Sequence, residues 1–190
     1  MIGVFLLTFG FRSHSQWAYD AVEVIPGAVI PIMNDGNYYV PGWALNANYY
    51  YDDSYQHSLY GGIGVHQMQV QNHESGYYPF FALQAYYGAQ YKFVLKEDLF
   101  DLALGGELGW MLRFYTGNPF SGSFNLFMEQ SMGLSPKLGF NWRINKSWAT
   151  LGAQIKYNAY FSLNGLFYSG NVTDGIHQWL QPGITFKIYL

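Results

Sequence analysis

The last fifteen residues of the chain alternate strictly between two kinds of side chain. The even positions are almost all apolar: Ile176, Gln178, Leu180, Pro182, Ile184, Phe186, Ile188 and Leu190. The odd positions are polar, small or aromatic: His177, Trp179, Gln181, Gly183, Thr185, Lys187 and Tyr189. A β-strand points successive side chains to opposite faces, so this segment separates two unlike environments. The same pattern recurs about eight times along the chain.

The composition explains which environments these are. Charged residues make up only 11% of the chain, while aromatic residues make up 21%; an ordinary soluble domain has about 25% charged residues. No window holds the ~18 consecutive apolar residues of a transmembrane helix. A barrel resolves this conflict, because its apolar surface is spread over alternating positions. We therefore predict an all-β fold, an eight-stranded antiparallel up-and-down transmembrane β-barrel, with lipid outside and a packed polar lumen.

The first fifteen residues are set apart from the barrel. Ile2 to Phe11 form an apolar run, and small and polar residues follow it up to Gln16. This order resembles the apolar core and cleavage site of a secretory signal. We expect residues 1–15 to be a signal-peptide remnant and residues 16–190 to form one barrel domain. No Lys or Arg precedes the apolar run, so the true start could lie upstream of Met1.

The alternation and the turn-forming residues between the apolar runs predict eight strands. They span about residues 20–33, 40–51, 57–70, 80–94, 99–115, 132–144, 148–162 and 176–190. The turns after the second, fourth and sixth strands are short, and the connections after the third, fifth and seventh are longer. Outer-membrane barrels have short periplasmic turns and longer outside loops, so both ends of the barrel domain are expected on the periplasmic side.

The predicted inner face carries most of the charge. We expect a lumen charge network of these residues: Glu23, Lys92, Asp101, Glu107, Arg113, Lys137, Arg143, Lys156 and Lys187. The acids Glu23, Asp101 and Glu107 are predicted to pair with neighbouring Lys and Arg, because an unpaired buried charge is costly. Such a network could be a structural plug, a narrow gated ion path or a catalytic group.

With these features the chain resembles the small eight-stranded outer-membrane barrels of the OmpA/OmpX type. The resemblance covers about residues 20–190 and rests on strand count, loop asymmetry, the polarity of the two faces and the ending Ile184–Leu190. It implies a place in the outer membrane of a Gram-negative bacterium, in contact with outer-membrane lipid. It also implies that the outer-membrane assembly machinery recognises the C-terminal strand. Such barrels serve as adhesins, anchors, channels or lipid-modifying enzymes, so the fold leaves the function open.

Two outside loops, Thr116–Ser131 and Leu163–Gly175, carry aromatic residues that could act as contacts or gates: Phe120, Phe124, Phe127, Phe167 and Tyr168. They could fold back on the barrel, dock on a protein partner or capture an apolar solute. The leading hypothesis is a structural or interaction role through these loops. The alternative is a passage for small or apolar solutes, gated by Phe120, Phe124 and Phe127.

Other chemistry finds little support. His177 beside Asp174 is the least implausible acid–base pair for a lipid-modifying enzyme, the third hypothesis, and we expect no enzyme. Asp35, Glu74, Glu129 and Asp174 come from the four outside connections, but no ligand spacing joins them, so we expect neither a metal nor another cofactor. A net charge of −3 gives no basic surface for nucleic acid.

Overall fold

The computed structural model describes residues 19–33, 37–54, 56–71, 79–96, 99–115, 127–145, 148–163 and 175–190. The proposed signal remnant, residues 1–15, lies outside these ranges. The described residues form eight strands: β1 (Tyr19–Pro31), β2 (Tyr39–Asp53), β3 (His57–Val70), β4 (Phe80–Lys96), β5 (Phe100–Tyr115), β6 (Phe127–Asn145), β7 (Ala149–Ser162) and β8 (Ile176–Tyr189).

Each strand pairs antiparallel with its neighbours in sequence, and β8 pairs with β1, which closes the sheet into a barrel. The predicted eight-stranded up-and-down barrel is confirmed. Closure leaves no free sheet edge, although the pairing of β1 with β8 is interrupted on both sides of Gly27. We call the end that holds Tyr19 and Tyr189 the terminal end, and the opposite end the loop end. No helix among the described residues is long and apolar enough to cross a membrane.

The two faces of the wall differ as the alternation predicts. In β5, Glu107 is 4% exposed and points inward, whereas the next residue, Leu108, is 64% exposed on the outer surface. The outer surface carries large apolar side chains on every strand, among them Ile63, Leu134, Phe140 and Ile184. An apolar outer belt around a polar interior is the arrangement that lipid requires of a spanning barrel.

The start of β6 differs from the prediction. The loop after β5 was predicted to reach Ser131, but β6 begins at Phe127. Met128 lies on the outer surface, while Glu129 and Ser131 are buried inside, opposite residues of β5. The polar residues of this stretch suggested a loop, but they keep the strand alternation. Glu129 is therefore an interior residue and not a solvated loop acid.

The end of β2 also differs from the prediction. The strand was expected to end at Tyr51, but it continues to Asp53 and its pairing with β3 shifts between Tyr50 and Asp52. A bulge of this kind adds one residue to a strand and changes which later side chains face inward. As a result both Tyr50 and Asp53 point into the lumen, three positions apart, and Asp53 is almost fully buried.

Candidate functional site

The centre of the lumen holds a carboxylate shared by three strands. Glu107 on β5 accepts a hydrogen bond from Lys156 Nζ on β7 at 2.9 Å and another from the Tyr60 hydroxyl on β3 at 3.0 Å. Lys137 Nζ on β6 lies 4.0 Å from the other side of the same carboxylate. Two tyrosine rings cover the ammonium groups: Lys137 Nζ is 4.1 Å from the Tyr60 ring centre and Lys156 Nζ is 4.7 Å from that of Tyr86. Cation–π contact of this kind stabilises ammonium groups that have left water.

Glu23 on β1 is held differently from the prediction. It was expected to pair with Lys or Arg, but its carboxylate accepts hydrogen bonds from Asn48 Nδ2 at 2.8 Å and the Tyr50 hydroxyl at 2.7 Å. Tyr86 in turn donates to Asn48 Oδ1 at 2.7 Å. Neutral donors therefore satisfy this buried acid and connect it to the cluster around Glu107. Alternation alone could not reveal this, because it gives the face of a side chain and not its partner.

A second cluster closes the terminal end around Asp53. Its carboxylate accepts from Lys92 Nζ at 2.7 Å and Lys187 Nζ at 3.3 Å, and also from the Ser58 hydroxyl. Lys187 Nζ also lies 3.7 Å from the centre of the Tyr50 ring. Asp53 on β2 thus ties together β4 and β8, which lie on different sides of the lumen.

Asp101 and Arg143 lie near the same end but are joined more loosely. Asp101 accepts from Asn141 Nδ2 at 2.6 Å, and the guanidinium of Arg143 is 4.0 Å away. The side chain of Arg143 is 18% exposed, so water reaches this pair at the rim of the barrel. Partial solvent contact makes such a pair worth less than a fully buried one.

A third cluster lies toward the loop end around Glu129. It accepts from the Tyr115 hydroxyl at 2.5 Å, and His177 Nε2 lies 3.0 Å from its other oxygen. Arg113 NH1 is 3.8 Å away, and its guanidinium lies over the ring of Phe80 at 4.9 Å. The acid beside His177 is therefore Glu129; the Asp174 of the sequence hypothesis lies outside the described residues.

The loop half of the lumen is less polar than predicted. A cluster of buried apolar residues fills it, formed by Val29, Tyr39, Ala44, Met68, Val70, Phe80, Ala82, Met111, Tyr160 and Trp179. We call this set the apolar cluster. Tyr160 and Trp179 stack with ring centres 5.3 Å apart, and His66 packs beside Trp179 at 5.1 Å. The loop half of the lumen thus combines this apolar cluster with the buried polar residues around Glu129.

Several polar atoms near the apolar cluster have no hydrogen-bond partner among the described residues. They include both amide atoms of Asn46 and Gln181 and both ring nitrogens of His66. Buried polar atoms are normally satisfied, because an unsatisfied one costs about 1–3 kcal/mol. The inner face near the apolar cluster therefore also carries buried polar side chains.

The loop candidates fall mostly beyond what the structure describes. Phe120, Phe124, Phe167 and Tyr168 lie outside the described residues. Phe127 was predicted to lie in the loop, but it is the first residue of β6. Within the described ranges no group of three or more His, Asp or Glu residues is placed to hold a metal ion; the candidate ligands Asp35, Glu74 and Asp174 lie outside those ranges.

Two residues of the interior clusters were missed or misplaced by sequence reasoning. Asp53 follows a bulge, so simple alternation would turn Asp52 inward in its place. Glu129 continues the alternation of β6, and extending the period backward from Met132 could have found it.

Comparison with known proteins identifies solved structures with the same fold. Neither a protein-family model nor a curated protein matches the sequence. The Neisserial surface protein NspA matches with a TM-score of 0.59 and 12% identity, over 90% of this chain and 96% of that one. The Pseudomonas aeruginosa outer-membrane protein OprG matches with a TM-score of 0.54 and 14% identity, over 90% and 94%.

The N-terminal β-barrel domain of Pseudomonas aeruginosa OprF matches with a TM-score of 0.52 and 10% identity, over 92% of this chain and all of that domain. At such identities the likeness concerns architecture and not activity. The closed barrel, its apolar outer belt and its ion-paired interior agree with these matches. By fold, the chain is a small eight-stranded antiparallel β-barrel with the architecture of these outer-membrane proteins.

Proposed function

We propose that the protein is an integral barrel of the bacterial outer membrane with a non-enzymatic structural or interaction role. The observation that supports this most directly is the cross-linking of the lumen at three levels. The clusters around Asp53, Glu107 and Glu129 each join strands from different parts of the wall. Buried ion pairs of this kind resist separation, since breaking one leaves an uncompensated charge. The network therefore supports a plug that blocks movement along the barrel axis.

The plug makes a clear prediction for conductance. We expect the purified protein in planar lipid bilayers to show no discrete channel openings, because the buried Glu107–Lys156 and Asp53–Lys187 contacts cross the lumen. A general porin, reconstituted at the same ratio of protein to lipid, provides the positive control. Discrete openings that vanish when residues 117–125 are deleted would defeat the plug and favour a gated passage.

The interaction role is proposed for the outside loops. Phe120, Phe124, Phe167 and Tyr168 are apolar side chains in long connections of a chain that otherwise sorts such groups toward lipid. Large apolar groups that remain exposed often mark contact surfaces. We propose that they contact a protein partner, while the C-terminal strand serves recognition by the assembly machinery and residues 1–15 direct export.

This role can be tested with vesicles that carry the protein. We expect substitution of Phe120, Phe124 and Phe167 by Ser to reduce vesicle binding to immobilised extracellular proteins at least several-fold, because the apolar contact area is lost. Substitution of Met128 by Ser, on the outer wall beside the loop, is the matched control. Equal binding by all variants and by empty vesicles would remove the interaction role.

A further inference from the structure

The outer wall carries an open groove across β1, β2 and β3, in the half nearer the terminal end. Its volume is about 330 Å³, and it is lined by Val22, Ala47, Asn48, Tyr49, Gly61, Gly62 and Ile63. Val22 pairs with Tyr49, and Tyr49 pairs with Gly61, so these three residues stand side by side across the wall. The volume lies at the lower end of the range for small-molecule sites, about 300–1,000 Å³.

A glycine gives the groove its depth. Among the described residues, a Cβ atom added to Gly61 would meet only the carbonyl oxygen of Tyr86, at 4.0 Å, so the outer surface is open there. At the neighbouring Gly62 a Cβ atom would collide with the side chains of Asn48 and Tyr86. Packing inside the barrel thus explains Gly62 but not Gly61. The effect of Gly61 is to leave the outer wall recessed beside Ile63, which is 67% exposed.

Tyr49 connects the groove to a carboxylate. Its hydroxyl donates to Asp20 Oδ2 at 2.9 Å, so its ring extends along the wall toward the terminal end. Asp20 is exposed and lies two residues before Val22, which is about 7 Å along a strand. The groove therefore has an apolar part toward the middle of the barrel and an acidic group at its terminal end.

The tyrosines on the other side of the groove contribute rings rather than free polar groups. Tyr51 on β2 and Tyr87 on β4 hydrogen-bond through their hydroxyls, and their rings stack with centres 5.9 Å apart. Their strands flank β3, and Tyr87 pairs with Gly61, so this contact crosses the outer side of β3 beside the groove. A hydroxyl in lipid needs a partner, and each of these two has the other. Asp20 therefore supplies the polar contact of the groove.

The charge of Asp20 has no counterpart in the part of the chain that the structure describes. The ion pairs at the terminal end involve Asp52, Asp53 and Asp101 and leave Asp20 without a cation. A molecule that fits both parts of the groove has a cationic head at the terminal end and an apolar chain toward the middle of the bilayer. A phospholipid has this orientation in the leaflet at the terminal end, which is the end expected on the periplasmic side.

We propose that this groove binds one phospholipid whose headgroup carries a primary ammonium. The ammonium donates to the carboxylate of Asp20, and one acyl chain lies over Gly61, beside Ile63. A primary ammonium has three N–H donors for a charge-assisted hydrogen bond, a quaternary ammonium has none, and an anionic headgroup is repelled. Van der Waals packing holds the chain, since the hydrophobic effect does not favour one apolar surface over another within a bilayer. The site depends on neither the loops nor the plug, so it goes beyond the structural or interaction role.

Native mass spectrometry tests the headgroup. The protein, purified in detergent and freed of lipid, is mixed with equal amounts of phosphatidylethanolamine, phosphatidylcholine and phosphatidylglycerol that carry the same acyl chains. We expect a complex with one lipid, in which phosphatidylethanolamine exceeds phosphatidylcholine about two- to fivefold, the factor that an exposed ion pair supplies. Phosphatidylglycerol is expected to bind least. Equal amounts of the three bound lipids would overturn the proposal.

Filling the groove tests where the lipid lies. Gly61→Phe puts a ring in the place of the acyl chain, and we expect bound phospholipid to fall at least about fivefold, as at an overpacked site. Gly106→Phe on β5 is the matched control, because Gly106 is exposed and a Cβ atom there would meet only Ser135 O, at 4.0 Å, among the described residues. Equal lipid binding by these two variants would place the lipid elsewhere and overturn the proposal.

Ala47→Leu is a second groove-filling variant, for use if Gly61→Phe does not fold. Ala47 pairs with Ile63, so a leucine there narrows the same groove from β2 by a smaller change. Far-ultraviolet circular dichroism identifies the variants that keep the barrel. We expect less bound lipid than in the parent protein. A folded Ala47→Leu protein that binds as much lipid as the parent would contradict the groove as a lipid site.

Two substitutions separate the headgroup contact from the chain contact. Asp20→Asn removes the charge but can still accept from Tyr49, and we expect the preference for phosphatidylethanolamine to disappear. Binding of phosphatidylcholine, the internal control, should stay as in the parent. Tyr49→Phe keeps the ring but removes the hydroxyl that positions the carboxylate, so the preference should fall to an intermediate level. If Asp20→Asn keeps the full preference, another group selects the headgroup and the proposal fails.

Discussion

Replacing Glu107 by Gln is expected to lower the free energy of unfolding by about 3–5 kcal/mol, the cost of leaving buried charges without their partner. Glu107 accepts from Lys156 at 2.9 Å and lies 4.0 Å from Lys137, and all three side chains are almost fully buried. The glutamine keeps the shape of the side chain but removes its charge. The measurement is reversible denaturant unfolding in phospholipid vesicles, followed by tryptophan fluorescence.

Two further variants separate charge pairing from general damage. Asp20→Asn removes an exposed carboxylate that accepts from Tyr49 on the outer face, and it should change the unfolding free energy by less than about 1 kcal/mol. Glu107→Leu/Lys156→Met should recover part of the loss, since an apolar pair often replaces a buried ion pair without cost. If Glu107→Gln is as mild as Asp20→Asn, the central cluster does not stabilise the barrel.

The neighbouring substitution Leu108→Arg tests the opposite face of the same strand. Leu108 is 64% exposed on the outer wall near the middle of β5, so an arginine there meets the centre of the bilayer. We expect a loss of about 2–4 kcal/mol in the same unfolding measurement, the usual cost of arginine at the midplane of a barrel. In detergent-free buffer the parent protein should aggregate, because this outer belt needs lipid.

A matched arginine near the end of a strand completes this test. Ile144→Arg lies on the outer face of β6, one residue from its terminal end, and should cost only about 0–1 kcal/mol because arginine reaches the interface there. Similar costs for Leu108→Arg and Ile144→Arg would show that the outer belt does not span a membrane.

Much of the fold could be predicted from the chain because barrel strands obey a period of two. The bounds of β3 match the prediction, those of six other strands differ from it by two residues or fewer, and only the start of β6 differs by more. Errors arose where that period was broken or hidden, at the bulge before Asp53 and at the polar start of β6. In both places pairing with a neighbouring strand decided how far the strand runs.

The candidate site was predictable to a lesser degree. The structure places eight of the nine predicted network residues in buried positions of the lumen and Arg143 at its rim. Glu23 is held by hydrogen bonds from Asn48 and Tyr50 rather than by the close ion pair that was expected. Nor did the inner positions near the loop end predict an apolar cluster, since Trp179 and Tyr160 come from strands read as having a polar inner face.

By itself, the sequence determined the class of fold, the number of strands and the face on which most side chains lie, because alternation is a local property of an extended chain. Only the tertiary structure decided which groups meet across the lumen. Those contacts depend on register, bulges and barrel closure, which bring Asp53 to Lys187 over a separation of 134 residues.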